Sequence, residues 1–213
     1  MKGITFGNYH SYNDLNLILN AKEIGSPAIK ERKIEIEGAD GFLDLTDFFG
    51  GEPKYENVTH RLEFSTIVQQ PGFLSLYSTV KNALHGKKMR IILDDDPLFY
   101  YLGRISVSPL TKEKNIGKIT IECDCEPYKY KLNKTVVSVA IADTKMITLT
   151  NSRKRAVPKI TTTASFTIIF GEHTWAVNAG TYTLPEIELL EGANYLSAIG
   201  NGTITFEWQE GEL

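Results

Sequence analysis

The regular alternation of apolar and polar residues is the feature that most limits what this chain can fold into. From Val58 to Val68, every second residue belongs to one mostly apolar set, and the residues between them are mostly polar. Side chains of an extended strand point alternately to its two faces, so a period of two predicts half-buried strands. The same pattern occurs at Ile34 and Ile36, at Met89–Leu93, at Phe99–Val107 and at Ile119–Cys125.

One segment of the first half has helical spacing instead. Its apolar residues recur every three or four positions, at Phe73, Leu76, Tyr77, Val80 and Leu84. Pro71 suits the first turn of a helix, and Gly86 suits the left-handed position after its end. We therefore predict one helix from about Pro71 to His85.

The second half is rich in short apolar stretches separated by turn residues. About eight short strands are predicted between Val137 and Trp208, which is typical of a compact antiparallel sandwich. Gly200-Asn201-Gly202 predicts a hairpin turn, because Asn-Gly readily adopts the positive φ angles of a type I′ turn. We expect a domain boundary near residue 131, giving domains of residues 1–131 and 132–213.

Composition excludes several classes of protein. Hydrophobic residues make up 42% of the chain and charged residues 23%, which is ordinary for a globular protein. No apolar run approaches the ~18 residues that span a bilayer, so no membrane association is expected. The N-terminal residues have no apolar signal-peptide core, and we expect no cleaved leader. The net charge is -3, without the basic excess expected of a nucleic-acid-binding domain.

No pattern in the sequence predicts catalysis, a metal site or a cofactor. Asp94-Asp95-Asp96-Pro97 could supply oxygen ligands to a cation, but these residues are also what a turn between strands needs. Cys123 and Cys125 have no second pair at zinc-site spacing, and the four histidines are scattered. No nucleophile motif or phosphate-binding glycine loop occurs. We expect a turn, buried thiols and no enzymatic activity.

An apolar stretch between Gly38 and Lys54 is too long for a simple turn. It contains four glycines and five large apolar residues, Phe42, Leu43, Leu45, Phe48 and Phe49. Long segments of this kind are often functional. Two interpretations remain open: the stretch packs over the core of its own domain, or it contacts a neighbouring subunit.

Three aromatic residues of the second half could bind a sugar. Trp175, Tyr182 and Trp208 would stack on a glycan if they shared a concave face. Trp208 alternates in phase with Ile204 and Phe206, which favours a place in the core.

The order of several short motifs resembles the distal tail protein family of phages with long non-contractile tails. The residues that carry this resemblance include Gly3-Ile4-Thr5-Phe6, Gly38-Ala39-Asp40-Gly41-Phe42-Leu43-Asp44-Leu45-Thr46, Gly50-Gly51-Glu52-Pro53, Leu84-His85-Gly86-Lys87, Asp94-Asp95-Asp96-Pro97, Tyr101-Leu102-Gly103-Arg104, Cys125-Glu126-Pro127-Tyr128, Asn151-Ser152-Arg153, Val157-Pro158-Lys159-Ile160, Leu190-Glu191-Gly192-Ala193-Asn194, Gly200-Asn201-Gly202-Thr203 and Phe206-Glu207-Trp208. The resemblance spans nearly the whole chain.

The resemblance implies a mainly β structural protein of the virion. It implies a tail-tube-like N-terminal β-domain with one helix that forms a homo-hexameric ring, and a C-terminal galectin-like or carbohydrate-module-like sandwich of the jelly-roll type. Such a ring joins the tail tube to the tail tip or baseplate, and DNA passes its channel without specific binding.

The implied partners are the major tail protein of the tube, a tail-associated hub or lysin protein, the tape-measure protein and, in some relatives, receptor-binding proteins. The protein would be made in the cytoplasm of a bacterial host. The competing hypothesis is a glycan-binding adhesion module that acts through the C-terminal sandwich.

Overall fold

The structure is a computed structural model that describes residues 2–48, 50–67, 72–113 and 115–213. The chain divides into two compact units, the first ending at Lys129 and the second comprising Tyr130–Glu212. The prediction of a mainly β chain with one helix is confirmed for the described residues.

The described residues of the first unit form ten strands and a helix, the last strand continuing to Lys131. Their bounds are β1 (Ile4–Phe6), β2 (Tyr9–His10), β3 (Ile18–Glu23), β4 (Lys33–Glu35), β5 (Phe42–Asp44), β6 (Val58–Ile67), α1 (Gly72–Leu84), β7 (Lys88–Leu93), β8 (Phe99–Val107), β9 (Thr111–Glu113) and β10 (Ile116–Lys131). The main sheet has the order β2-β1-β7-β8-β10-β6-β3, and β9 also pairs with β10. Residue 131, where we expect the boundary, is the last residue of β10.

The core of the first unit follows the alternation in the sequence. Strands β6 and β10 are antiparallel, from Val58 opposite Cys125 to Ile67 opposite Ile116. Leu62 and Phe64 are almost fully buried, and the Phe64 ring contacts that of Phe6 edge-on at 6.2 Å between centroids. Full burial of such a side chain contributes about 1.5–3 kcal/mol, so this face of the sheet holds the unit together.

Helix α1 packs against β8. Phe73, Val80 and Leu84 are buried on the predicted apolar face. Gly86 has a φ of 77°, the left-handed conformation expected after a helix end. The described part of the helix begins at Gly72, and Pro71 lies outside the described residues.

The second unit is built around two long strands. Its elements are β11 (Thr135–Asn151), β12 (Lys159–Thr162), β13 (Phe166–Phe170), β14 (His173–Val177), β15 (Gly180–Thr183), β16 (Gly192–Trp208) and β17 (Gly211–Glu212). Strands β11 and β16 pair along their whole length, and β16 also pairs with β13 through Ser197–Gly200 and with β12 through Ile204–Glu207. The expectation of only short strands in this half was therefore wrong.

The predicted hairpin at Gly200-Asn201-Gly202 was also wrong, because these residues lie inside β16 and pair with β11. Glycine is needed here because a side chain would collide with neighbouring residues, and not because the chain turns. A Cβ on Gly200 would lie 2.6 Å from the Phe166 ring, and one on Gly202 would lie 2.8 Å from Oγ1 of Thr163. Both glycines have φ near 150°, which L side chains rarely adopt.

Candidate assembly surface

Residues 24–57 form an arm on the first unit. Strands β4 and β5 pair only with each other among the described residues, with Ile34 opposite Leu43. Below this hairpin, the Lys30 amide donates to the Lys54 carbonyl and the Glu56 amide donates to the Ala28 carbonyl, each at 2.8 Å. The segment read from the sequence as an unstructured stretch is thus the second half of an antiparallel arm.

The apolar side chains of the arm are exposed. Phe42 is 65% exposed and Phe48 is 71% exposed, while Leu43 is exposed and Leu45 is half-buried. Phe49 lies outside the described residues. Phe42, Leu43 and Phe48 are therefore largely uncovered within the subunit, and their contact with a neighbouring subunit stays a prediction.

Two isoleucines of the same arm were misread from the sequence. Ile34 and Ile36 were expected on a half-buried strand, but each is 48% exposed. The reason is that β4 has only β5 beside it and no sheet beneath it. The charge of this segment is one-sided, since residues 34–48 contain five carboxylates and no Lys or Arg.

Local hydrogen bonds shape the end of the arm. The Thr46 amide donates to the Asp44 carboxylate at 2.9 Å, and hydrogen bonds from Thr46 lower the pKa of Asp44. The Leu45 amide donates to the Arg32 carbonyl at 2.7 Å. The Asp44 carboxylate is therefore held in its charged form at the end of the arm, close to apolar side chains that face solvent.

The three aspartates of the Asp94–Asp96 turn have three different partners. Asp94 accepts from the Gly3 amide at 2.7 Å and lies 3.1 Å from Nε2 of His10. Asp95 pairs with Lys22, and Asp96 lies 3.1 Å from Nζ of Lys129. The turn thus fastens the ends of several strands, and its carboxylates diverge.

Both cysteines are buried and free. Burial raises the pKa of the Cys123 thiol, and it raises the pKa of Cys125 to about 12. Such thiols are protonated and unreactive at neutral pH. No group of three or more potential metal ligands occurs among residues 2–48, 50–67, 72–113 and 115–213.

The aromatic residues of the second unit do not form an open platform. Trp208 is 2% exposed, and its Nε1 donates to Oδ1 of Asn151 at 3.1 Å, so it is unable to stack on a sugar. Trp175 and Tyr182 are half-buried against the same core. They lie on β14 and β15, at opposite ends of the strand order β14-β13-β16-β12-β15.

Comparison with known proteins supports the fold. No protein-family model matches the chain, and no curated protein matches it. Among solved structures, the crystal structure of the SPP1 Dit (gp 19.1) protein matches with a TM-score of 0.72 at 14% identity, covering 100% of both chains. That protein is described as a paradigm of the hub adsorption apparatus in phages that infect Gram-positive bacteria.

The chain has the Dit fold. The resemblance to the distal tail protein family is confirmed at the level of the fold, over both units. In the part of the chain that is described, no helix is long and apolar enough to cross a membrane.

Proposed function

We propose that this chain is a structural hub protein at the distal end of a phage tail, where six copies form a ring that joins the tail tube to the tail tip or baseplate. The observation that carries the proposal is the fold shared with SPP1 Dit along the full length of both chains. A likeness that included only the second unit would fit many sugar-binding sandwiches equally well. The shared first unit favours the hub.

The exposed arm supports assembly. Ile34, Phe42 and Phe48 would be a costly patch on a monomer in water, since each large apolar side chain contributes about 1.5–3 kcal/mol when buried. In a closed ring, every subunit presents the same two surfaces to its neighbours. An arm that reaches the next subunit buries these residues and closes the ring.

We propose the remaining partners from what the resemblance to the distal tail protein family implies. The ring contacts the tube protein on one side and a hub or lysin protein with the tape-measure protein on the other. Receptor-binding proteins attach at its periphery, and DNA crosses the channel without specific contacts. The chain is a non-enzymatic component of the virion, made in the cytoplasm of the host.

Glycan binding by the second unit is the weaker hypothesis. Its argument needs several aromatic rings on one open face, and Trp208 instead forms part of the core. The ring of Trp175 stacks on that of His173 at 5.6 Å between centroids, and the Tyr182 hydroxyl donates to the Asn178 carbonyl at 3.1 Å. Both side chains therefore already make contacts within the second unit.

The test is the mass and shape of the purified full chain. We expect light scattering to give six times the 23.9 kDa of the chain, and negative-stain images to show rings with a central channel. Antibodies against the protein should label the distal end of tails in phage particles. A chain that stays monomeric at high concentration and binds immobilised glycans would instead support the adhesion module.

A further inference from the structure

Two exposed surfaces of the first unit have opposite charge. One is the arm tip, residues 34–48, which contains five carboxylates and the exposed side chains of Ile34, Phe42 and Phe48. Among the described residues, Glu35, Glu37, Asp40 and Asp47 form no ion pair. The arm tip is therefore both apolar and acidic, and it fits a partner that is apolar and basic.

The second is the helix surface, formed by Leu74 and Lys81 of α1 with Lys112 and Ile116 beside its first turn. Leu74 is 73% exposed and Ile116 is 43% exposed. The Lys112 ammonium lies 5.2 Å from the centroid of the Phe73 ring, which places β9 next to the start of α1. Residues 72–88 contain three lysines and no carboxylate.

The two lysines of the helix surface are available to a carboxylate. Lys81 lies 5.4 Å from the Tyr77 ring centroid, and in the described parts of the chain neither Lys81 nor Lys112 forms an ion pair. Their positive charge is therefore not neutralised within the subunit. An apolar contact flanked by these ammonium groups would suit the arm tip.

A second apolar surface of the same unit is a poorer match for an acidic arm. Tyr9, Tyr12 and Leu98 are exposed, but they lie in segments next to the Asp94–Asp96 turn, where His10, Lys22 and Lys129 already contact Asp94, Asp95 and Asp96. An arm that docked there would compete for cations that already have carboxylate partners, and Asp14 in the same segment would repel it. The helix surface is therefore the better match for the arm tip.

We infer that the arm tip of one copy binds the helix surface of the neighbouring copy. This inference rests on the proposed ring, and it names the two faces of the subunit contact. The contact is head-to-tail, since the arm tip and the helix surface are different parts of one subunit, and contacts of this kind form closed rings when the rotation between subunits closes. Apolar burial supplies most of the affinity, and charge sets partner choice and association rate.

Site-directed cross-linking tests the contact directly. One preparation carries Asp40→Cys in the arm tip and a second carries Lys81→Cys on the helix surface; they are mixed before assembly and treated with a short bismaleimide. The native thiols are buried, so only the introduced thiols should react. We expect a cross-linked dimer, and none when Leu98→Cys replaces Lys81→Cys.

Charge reversal provides a second, independent test. Lys81→Glu with Lys112→Glu should weaken assembly roughly tenfold or more, because like charges then face each other. Adding Glu35→Lys and Glu37→Lys should restore much of the loss. The matched control, Lys2→Glu with Lys145→Glu, changes the net charge equally and should assemble normally. Raising the salt from about 0.1 M to about 1 M shortens the screening length from about 10 Å to about 3 Å, and should weaken the wild-type contact.

The outcomes separate this inference from the proposed function. Cross-linking of Asp40→Cys to Leu98→Cys, or to neither surface in a chain that forms rings, overturns the inference and leaves the ring intact. Failure of the charge-reversed pair to recover assembly also counts against it. A wild-type chain that never assembles contradicts the proposed function itself.

Discussion

The backbone amide of Gly25 donates a hydrogen bond to Nδ1 of His60 at 3.2 Å. This bond ties the beginning of the arm to a side chain that is only 2% exposed. A Cβ on Gly25 would lie 2.7 Å from the Thr59 carbonyl oxygen, so the chain passes very close to β6 at this point. The arm therefore leaves the unit from a fixed anchor.

The anchor predicts a dependence of stability on pH. Burial lowers the pKa of His60 below its ordinary value of 6.5. The unfolded state then binds the proton more readily, so the free energy of unfolding falls as the pH drops below about 6.5. His60→Leu should reduce this dependence in thermal unfolding between neutral and acidic pH, whereas Leu at the exposed His173 should leave it unchanged. If stability changed with pH equally in the wild type, in His60→Leu and in the His173 control variant, His60 would not be the titrating group.

The exposed arm predicts that assembly and folding can be separated. Phe42→Ser with Phe48→Ser should reduce the ring fraction in light scattering. It should alter the free energy of unfolding of the subunit by only about 0.5 kcal/mol for each residue, because both side chains are largely exposed. Leu98→Ser is the control, since Leu98 is 70% exposed outside the arm. Unfolding of the double variant would place the phenylalanines in the subunit's own core.

Glu210 predicts a separate pH effect in the second unit. Burial opposes its charged form, but hydrogen bonds from Lys131, Ser152 and Thr135 outweigh burial and lower its pKa below 4.5. The charged form therefore stabilises the fold above pH 4.5, and this contribution is lost as the pH falls through the lowered pKa. Glu210→Gln should cost roughly 1.5–3 kcal/mol at neutral pH, as for a lost charged hydrogen bond.

The control for Glu210 is Glu207→Gln. Glu207 pairs with Lys134 at the surface, and its replacement should have little effect, because exposed ion pairs contribute little. Denaturant unfolding at neutral and acidic pH would distinguish the two variants. Identical losses in both would contradict the structural role of Glu210.

Gly200 lies inside β16, where a side chain is expected to have a steric cost. Gly200→Ala places a methyl group 2.6 Å from the Phe166 ring and 2.7 Å from the Ser165 carbonyl, and overpacking of this kind costs about 1–3 kcal/mol. Gly38→Ala is a matched comparison, since Gly38 also has a positive φ but no atom lies within 4 Å of its Cβ position. Thermal melts should show the larger loss for Gly200→Ala, and a larger loss at Gly38 would refute the steric argument.

The burial of Trp208 predicts that its replacement lowers the stability of the fold, as expected of a core residue and not of a sugar-binding one. Trp208→Phe removes the N–H donor and leaves Oδ1 of the buried Asn151 without that bond, which should cost about 1–3 kcal/mol. Trp175→Phe should cost less, because the Trp175 side chain is only half-buried. Glycan-array binding by the wild type that disappears in Trp208→Phe while stability is unchanged would reverse this assignment.

The spacing of apolar residues along the chain was enough to predict the strands and the helix that have one face covered by the core. Val58, Leu62 and Phe64 alternate because one face of β6 is covered by the core, and Phe73, Val80 and Leu84 recur at helical spacing because α1 has one covered face. Burial of one side leaves a periodic signal in the sequence. These parts of the fold could be read without a structure.

Two predictions were wrong because the spacing of apolar residues and the composition of a short segment do not show which distant segments lie nearby. Ile34 and Ile36 alternate with charged residues just as a half-buried strand does, but no sheet lies under β4. Gly200-Asn201-Gly202 has the composition of a turn, although its glycines are required by the approach of Phe166 and Thr163. Whether an alternating strand is covered, and why a glycine is needed, is decided by segments distant in sequence.

The continuous pairing of β11 with β16 has a mechanical consequence. The two strands remain in register from Thr135 opposite Trp208 to Asn151 opposite Gly192. A force that pulls them apart along their length acts in shear on all the cross-strand bonds together, whereas a force across one end opens them singly. The paired strands therefore resist a pull along their axis more strongly than they resist opening from one end. A protein that must stay intact under a pull along this axis gains from such continuous pairing.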